Sequence, residues 1–116
     1  MLEERRQTRR ITYPFKITVF PEGHDPIDVF RTENISIGGL RIISQTRLEI
    51  NSQVDITLNT AGKPIQARGR VAWFLEIKAP RQEQPDLFDI GIEFIGLASA
   101  DRHILEAILA ELKERH

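Results

Sequence analysis

The segment Glu33-Asn34-Ile35-Ser36-Ile37-Gly38-Gly39-Leu40 places several turn-forming residues between two stretches of apolar alternation. Asparagine and serine side chains hydrogen-bond to nearby backbone and therefore favour turns. Glycine adopts dihedral angles and permits close approaches that other residues do not. Taken alone, this segment predicts a tight connection between two strands.

Apolar and polar residues alternate on both sides of this connection, as expected for strands that bury one face. The alternation predicts six strands, which begin near Tyr13, Ile27, Leu40, Val54, Ile65 and Phe88. Gly69, inside the fifth of them, predicts a bulge or bend. After the last strand the apolar spacing becomes that of an amphipathic helix. The pattern predicts a mainly β fold: a small six-stranded antiparallel β-barrel followed by a C-terminal amphipathic α-helix.

The length of 116 residues suits a single domain with a modest core. We divide it into a flexible basic arm (residues 1–12), a β-barrel (13–96) and the helix (99–115). Residues 78–86 are predicted to form an exposed loop. The chain has no apolar run of the ~20 residues that a membrane span requires and no signal-like start. It has no cysteine, which is compatible with the cytoplasm, where we expect this protein.

A basic run, Arg5-Arg6-Gln7-Thr8-Arg9-Arg10, precedes the first strand. Its Arg-x-x-x-Arg spacing, followed later by Asn34-x-Ser36-x-x-Gly39, resembles the two-part signature of the PilZ family. Members of that family bind the bacterial second messenger cyclic diguanylate (c-di-GMP). The resemblance extends to 70–73 and 90–94, which are similar to later strands of the family, and to 99–115, which is similar to its closing helix. It therefore covers nearly the whole chain.

Two registers of the arginine motif are open. Arg6 and Arg10 have the required spacing, and so do Arg5 and Arg9. We favour Arg6 and Arg10 because Ile11 follows at once and begins an apolar stretch, as is usual in the family. In the family, the residue just before the motif is associated with the binding of one nucleotide or a stacked pair. That residue is then Arg5, so we expect two molecules of c-di-GMP per chain.

The resemblance implies a set of ligand-binding residues. They are Arg5, Arg6, Arg10, Asn34, Ser36 and Gly39, with Arg9, Gly38 and Arg41 as secondary candidates. The residue types suit the ligand, because a guanidinium pairs bidentately with phosphate, forks onto guanine O6 and N7, and stacks on a purine. The family more often has aspartate at the Asn34 position, and an amide satisfies a guanine edge less fully than a carboxylate does. Gly39 is expected to let the ligand lie close to the backbone.

The sequence gives little support for other functional sites or other classes of protein. Trp73, at strand spacing, is predicted to lie in the core or at the barrel rim rather than to form a stacking platform. No cofactor or metal is expected, because the three histidines are scattered. No nucleophile motif or phosphate loop indicates an enzyme. The net charge of −1 disfavours a protein that coats nucleic acid.

We therefore predict a bacterial c-di-GMP receptor that changes conformation, or its unidentified downstream protein partner, when the ligand binds. One alternative is a PilZ-fold protein–protein interaction module without nucleotide binding, although modules of that kind typically lack the arginine motif. The other is a small barrel that binds single-stranded nucleic acid, which would need aromatic residues on an exposed basic strand face.

Overall fold

A computed structural model describes Tyr13 and residues 16–115. Within this part of the chain, the strands are β1 (Lys16–Pro21), β2 (Ile27–Asp28), β3 (Arg31–Ser36), β4 (Gly39–Ser44), β5 (Gln53–Asn59), β6 (Ile65–Ile77) and β7 (Leu87–Leu97). A single helix, α1 (Ser99–Arg115), follows them in the described residues. The strands form one sheet in the order β2-β1-β5-β6-β7-β4-β3, and all its neighbouring strands are antiparallel.

The predicted mainly β fold with a C-terminal helix is confirmed, and the sheet curls into a half-barrel. The second predicted strand is present in two pieces, β2 and β3, which Val29 and Phe30 separate. The backbone N–H of Phe30 donates to the carbonyl of Ile43 (2.9 Å), so the chain is already tied to β4 before β3 begins. Of the first predicted strand, the described part is β1, from Lys16, while Pro14 and Phe15 lie outside the described residues.

The core lies on the inner face of the curled sheet. Strand β5 shows the reason, because its apolar residues alternate with polar ones and every second side chain is buried. The largest fully buried apolar side chains of the described residues are Val19, Ile42, Ile56, Leu58, Ile65, Val71, Ile90 and Leu105. Leu105 brings α1 into this core, and the Asp101 carboxylate accepts from the backbone N–H of Gln66 on β6 (3.2 Å).

Strand β6 changes register twice against β7, between Arg68 and Gly69 and between Val71 and Trp73. The first shift confirms the irregularity predicted at Gly69. The second reverses the alternation, since a bulge inserts one extra residue into the strand. Val71 is therefore fully buried on the inner face, while Trp73 projects outward and is 42% exposed.

The long hairpin of β6 and β7 lies at the centre of the sheet and joins its two sides. On one side, residues 65–70 of β6 pair with β5. On the other side, residues 88–93 of β7 pair with β4. The loop between the two strands is residues 78–86, as predicted. No helix within residues 16–115 has the length and apolar character needed to cross a membrane.

Candidate ligand-binding face

The Asn34–Gly39 segment is the hairpin between β3 and β4, with Ile37 and Gly38 in its turn. Both turn residues keep negative φ, so the bend does not depend on glycine's left-handed freedom. It is closed instead by the Ser36 hydroxyl, which accepts the backbone N–H of Gly38 (3.1 Å). Because that oxygen acts as an acceptor there, its own O–H remains able to donate outward. Asn34 and Ser36 are both exposed.

Asn34 is the first member of a row that crosses four neighbouring strands. Asn34 on β3 stands opposite Arg41 on β4, Arg41 stands opposite Gly91 on β7, and Gly91 stands opposite Trp73 on β6. Directly opposite residues project from the same face of a sheet. The row therefore spans about 14 Å, three strand spacings, on the outer surface. We call this row, together with Ser36, the motif face.

Gly91 explains how the indole of Trp73 lies within this face. A Cβ atom on Gly91 would be 2.2 Å from Nε1 and 2.3 Å from Cε2 of Trp73. The ring therefore lies directly over the glycine, in the space that a side chain would fill. A glycine beneath an aromatic ring fixes the ring against the backbone and leaves its other side open. Trp73 and Asn34 line the same open depression, of about 360 Å³.

Arg41 occupies the centre of the row and is held by Asp89. Its Nε and Nη2 donate to the two carboxylate oxygens of Asp89 at 2.9 and 2.8 Å. The hydrogen bonds that Arg41 donates to Asp89, together with the negative charge of that carboxylate, hold the pKa of Arg41 above its usual value. Asp89 is buried, whereas the Arg41 side chain is half exposed. In the described part of the chain, no acceptor contacts Nη1 of Arg41, so its two N–H groups are available to a ligand.

Gly39 has a structural role that differs from the expected one. A Cβ atom here would lie 2.1 Å from the carbonyl oxygen of Ile92 and 3.1 Å from Cα of Glu93. The side of Gly39 that lacks a side chain therefore faces the backbone of β7 and not the surface. The glycine is required because two strands come close together at this point, which also lets the carbonyl of Gly38 accept from the N–H of Phe94 (2.8 Å).

Tyr13 attaches the chain that follows the arginine run to β3. Its hydroxyl donates to Oδ1 of Asn34 (3.4 Å) and accepts from the backbone N–H of Ile35 (3.2 Å). The predicted binding residues Arg5, Arg6, Arg9 and Arg10 lie outside the described residues. Three residues span at most ~11 Å, so covalent geometry alone keeps Cα of Arg10 within that distance of Cα of Tyr13.

Carboxylates accompany the described arginines near the motif face. Arg31 is paired with Glu33, Arg41 with Asp89, and Arg70 with Glu93. Each pair leaves little net positive charge on the surface it occupies. The described part of the face therefore supplies hydrogen-bond donors and an aromatic ring, while strong attraction for an anion needs cations from elsewhere in the chain.

The hairpin thus brings Asn34 and Ser36 together on one exposed surface, and it adds Arg41 to them. Sequence reasoning placed Trp73 in the core or at the rim, whereas the structure places its ring on the motif face. It also missed Tyr13 and Asp89, which position Asn34 and Arg41. Neither residue had a sequence signal, because Asp89, like Glu93, occupies a polar position in the alternation of its strand.

Comparison with known proteins gives the family. The sequence matches the PilZ domain family over residues 4–111, and the chain therefore belongs to this family. Its fold is similar to the PilZ domain of YcgR from Escherichia coli with c-di-GMP (16% identity, TM-score 0.65), over 96% of this chain and 93% of that one.

The fold is also similar to MrkH from K. pneumonia (19% identity, TM-score 0.66, 92% of this chain and 49% of that one). A second MrkH structure, described as a c-di-GMP-dependent transcription regulatory factor, gives 19% identity and a TM-score of 0.68, over 95% and 53% of the two chains. This chain thus spans about half the length of MrkH. No curated protein matches the sequence significantly.

Proposed function

We propose that this protein is a bacterial, cytoplasmic receptor domain for c-di-GMP that changes its conformation or its protein partner when the ligand binds. The observation that carries the proposal is the motif face of a PilZ domain: Asn34, Ser36 and Arg41 expose polar groups beside the ring of Trp73. YcgR, whose PilZ domain has the same fold, was solved with c-di-GMP.

The division of roles follows from the charges. Each described arginine next to the face is paired with a carboxylate. We therefore assign the two phosphates of the ligand to Arg6 and Arg10, with Arg5 and Arg9 beside them. Tyr13 limits how far this run extends from Asn34, because its hydroxyl is bonded to that side chain. Phosphate contacts would then come from one segment and guanine contacts from the sheet.

The sheet residues suit a guanine. The amide of Asn34 offers both an acceptor and a donor to the base edge, and Nη1 of Arg41 can donate to O6 or N7. The O–H of Ser36 can donate to a phosphate or base oxygen. The open side of the Trp73 ring is a flat surface on which a purine can stack, and stacking on an aromatic side chain contributes ~1–3 kcal/mol per base.

Isothermal titration with c-di-GMP tests the proposal directly. We expect saturable binding with two ligand molecules per chain, the second contacted by Arg5. GTP and short single-stranded oligonucleotides should fail to displace the ligand, because neither presents two guanines on a ring closed by two phosphates. If titration with c-di-GMP releases no binding heat, the alternative of a protein–protein interaction module without nucleotide binding remains. If an oligonucleotide displaces c-di-GMP, the arginine run is a polyanion-binding arm. A stoichiometry of one would overturn only the role of Arg5.

Trp73 provides a second, independent measurement, since it is the only tryptophan in the chain. Its ring is 42% exposed over Gly91. If a guanine stacks on it, intrinsic fluorescence should be quenched in proportion to the occupancy measured by titration. Trp73→Phe should keep most of the affinity and Trp73→Ala should lower it about 5- to 150-fold, the equivalent of ~1–3 kcal/mol of stacking. Unchanged fluorescence at saturation would remove Trp73 from the site.

A further inference from the structure

The outer half of β6 has one open edge. Strand β5 accompanies β6 only as far as the pair Gln53–Arg70. The next residue, Val71, makes the last hydrogen bonds on the β5 side of β6. Its N–H donates to the carbonyl of Ser52 (2.9 Å), and its carbonyl accepts from the N–H of Asn51 (2.7 Å). Residues 73–77 then pair with β7 alone in the described part of the chain. We call Trp73–Ile77 the edge segment.

The outward side chains of the edge segment are apolar and solvent-exposed. Leu75 is 63% exposed, and Trp73 and Ile77 are 42% and 40% exposed. They occupy alternate positions and so project from one face of the strand. An open edge with unpaired N–H and C=O groups and a row of apolar side chains accepts a further strand, and proteins usually protect such edges. Here Glu76, within the segment, and Lys78, next to it, are paired with each other (3.3 Å).

We propose that the edge segment pairs with the edge segment of a second copy of this chain, antiparallel and about a two-fold axis at Leu75. A two-fold axis requires the same patch on both copies. Directly opposite residues share a face of the sheet, so the axis must pass through a residue position. In the proposed register, Leu75 faces Leu75 of the partner subunit, and Trp73 faces Ile77 of the partner subunit.

Space and charge exclude the neighbouring registers. An axis at Phe74 would place the partner subunit's Ile77 beside Val71, where Asn51 and Ser52 already occupy the edge. An axis at Glu76 would set two glutamates directly opposite each other, which is destabilising. An axis at Ile77 would leave Trp73 opposite the loop rather than a strand. At Leu75, in contrast, Glu76 faces Phe74 and Lys78 faces Ala72, so no like charges are opposed.

Such a dimer would join the two sheets into one. The axis is perpendicular to the sheet, so both motif faces would lie on the same side of it. Each copy contributes five backbone positions and three exposed apolar side chains, which is a small interface, below ~1,200 Å² in total. We therefore expect a weak dimer that dissociates on dilution.

Sedimentation velocity of the ligand-free protein over a wide range of concentration measures this equilibrium. We expect reversible conversion of monomer to dimer. Leu75→Lys should abolish it, because the substitution sets two cations against each other on the axis. Ile95→Lys is the matched control: Ile95 is also an exposed apolar strand residue, 46% exposed, but lies outside the edge segment, so dimerisation should persist. A wild-type protein that stays monomeric at every concentration overturns the proposal.

Cross-linking tests the register, and the chain's lack of native cysteine makes it specific. In Leu75→Cys, the two Cα atoms on the axis should be ~4.5–5.5 Å apart, within the range that a disulfide bridges. In Ile77→Cys, the equivalent residues would be about 14 Å apart, four residues along the strand, and should not react. Mild oxidation with diamide should therefore yield covalent dimer from Leu75→Cys only.

Equal yields from both cysteine variants, or none from Leu75→Cys, would overturn the pairing. Dimerisation that survives Leu75→Lys would show that another surface carries it and would also overturn the proposal. Because these measurements use no ligand, they can refute the dimer while c-di-GMP binding is confirmed, and c-di-GMP binding can be refuted while the dimer is confirmed.

Discussion

Replacement of Arg6 or Arg10 by alanine is expected to weaken c-di-GMP binding roughly 10- to 150-fold, since a hydrogen bond to a charged group contributes ~1.5–3 kcal/mol. The thermal midpoint should hardly change, because both residues lie outside the apolar pattern of the strands. Titration calorimetry and thermal denaturation of the same preparations would measure both quantities.

Three controls make this result interpretable. Arg6→Lys keeps the charge but loses the planar fork, so a lysine that fails to restore affinity would indicate bidentate recognition. Arg102→Ala removes an exposed arginine from α1, remote in sequence from both motifs, and should leave affinity unchanged. Arg5→Ala and Arg9→Ala test the register: if they abolish binding while the Arg6 and Arg10 variants do not, the motif is shifted by one residue.

The strands could be predicted because burial on one face imposes a period of two on the sequence. The strand β5 carries this signal without interruption, and it is present in the structure as predicted. The loop of residues 78–86 was recognisable for a complementary reason, since its two prolines and mixed charges cannot form a sheet interior.

Trp73 shows where the same reasoning fails. Its spacing from Val71 predicts that both side chains lie on one face. The bulge between them reverses the alternation, so Val71 is buried and Trp73 is exposed. The bulge brings Trp73 opposite Gly91, whose missing side chain makes room for the indole. Residues 73 and 91 are far apart in the sequence, and a single sequence carries no signal that pairs them.

The Arg41–Asp89 pair and the Tyr13–Asn34 contact could not be predicted either, because a single sequence does not show which distant residues meet. Each joins residues that are more than twenty positions apart. What the local motif did predict was the hairpin that carries Asn34 and Ser36, because turn chemistry acts over a few residues. The ligand role expected for Gly39 stays a prediction, and the structure adds a separate reason for this glycine, since its close neighbour is the backbone of β7.

Gly39→Ala is therefore expected to damage the fold itself. The added methyl would meet the carbonyl oxygen of Ile92 at 2.1 Å, and that oxygen belongs to a central strand which cannot move independently. Overpacking of this kind costs ~1–3 kcal/mol and occasionally more. For a domain of this size, the thermal midpoint should fall by roughly 5–20 °C. Differential scanning calorimetry without ligand measures the loss.

The neighbouring glycine is the matched control. A Cβ atom on Gly38 would meet only Oγ of Ser36, at 3.8 Å, and its φ is not positive, so Gly38→Ala should keep the wild-type midpoint. Comparing the thermal midpoints and ligand affinities of the two alanine variants separates an effect on packing from an effect on ligand contact. If Gly38→Ala is fully stable but binds c-di-GMP poorly, the ligand lies against the turn. If Gly39→Ala keeps its midpoint and loses only affinity, then β7 yields to the methyl group, and the glycine is needed for the ligand and not for the sheet.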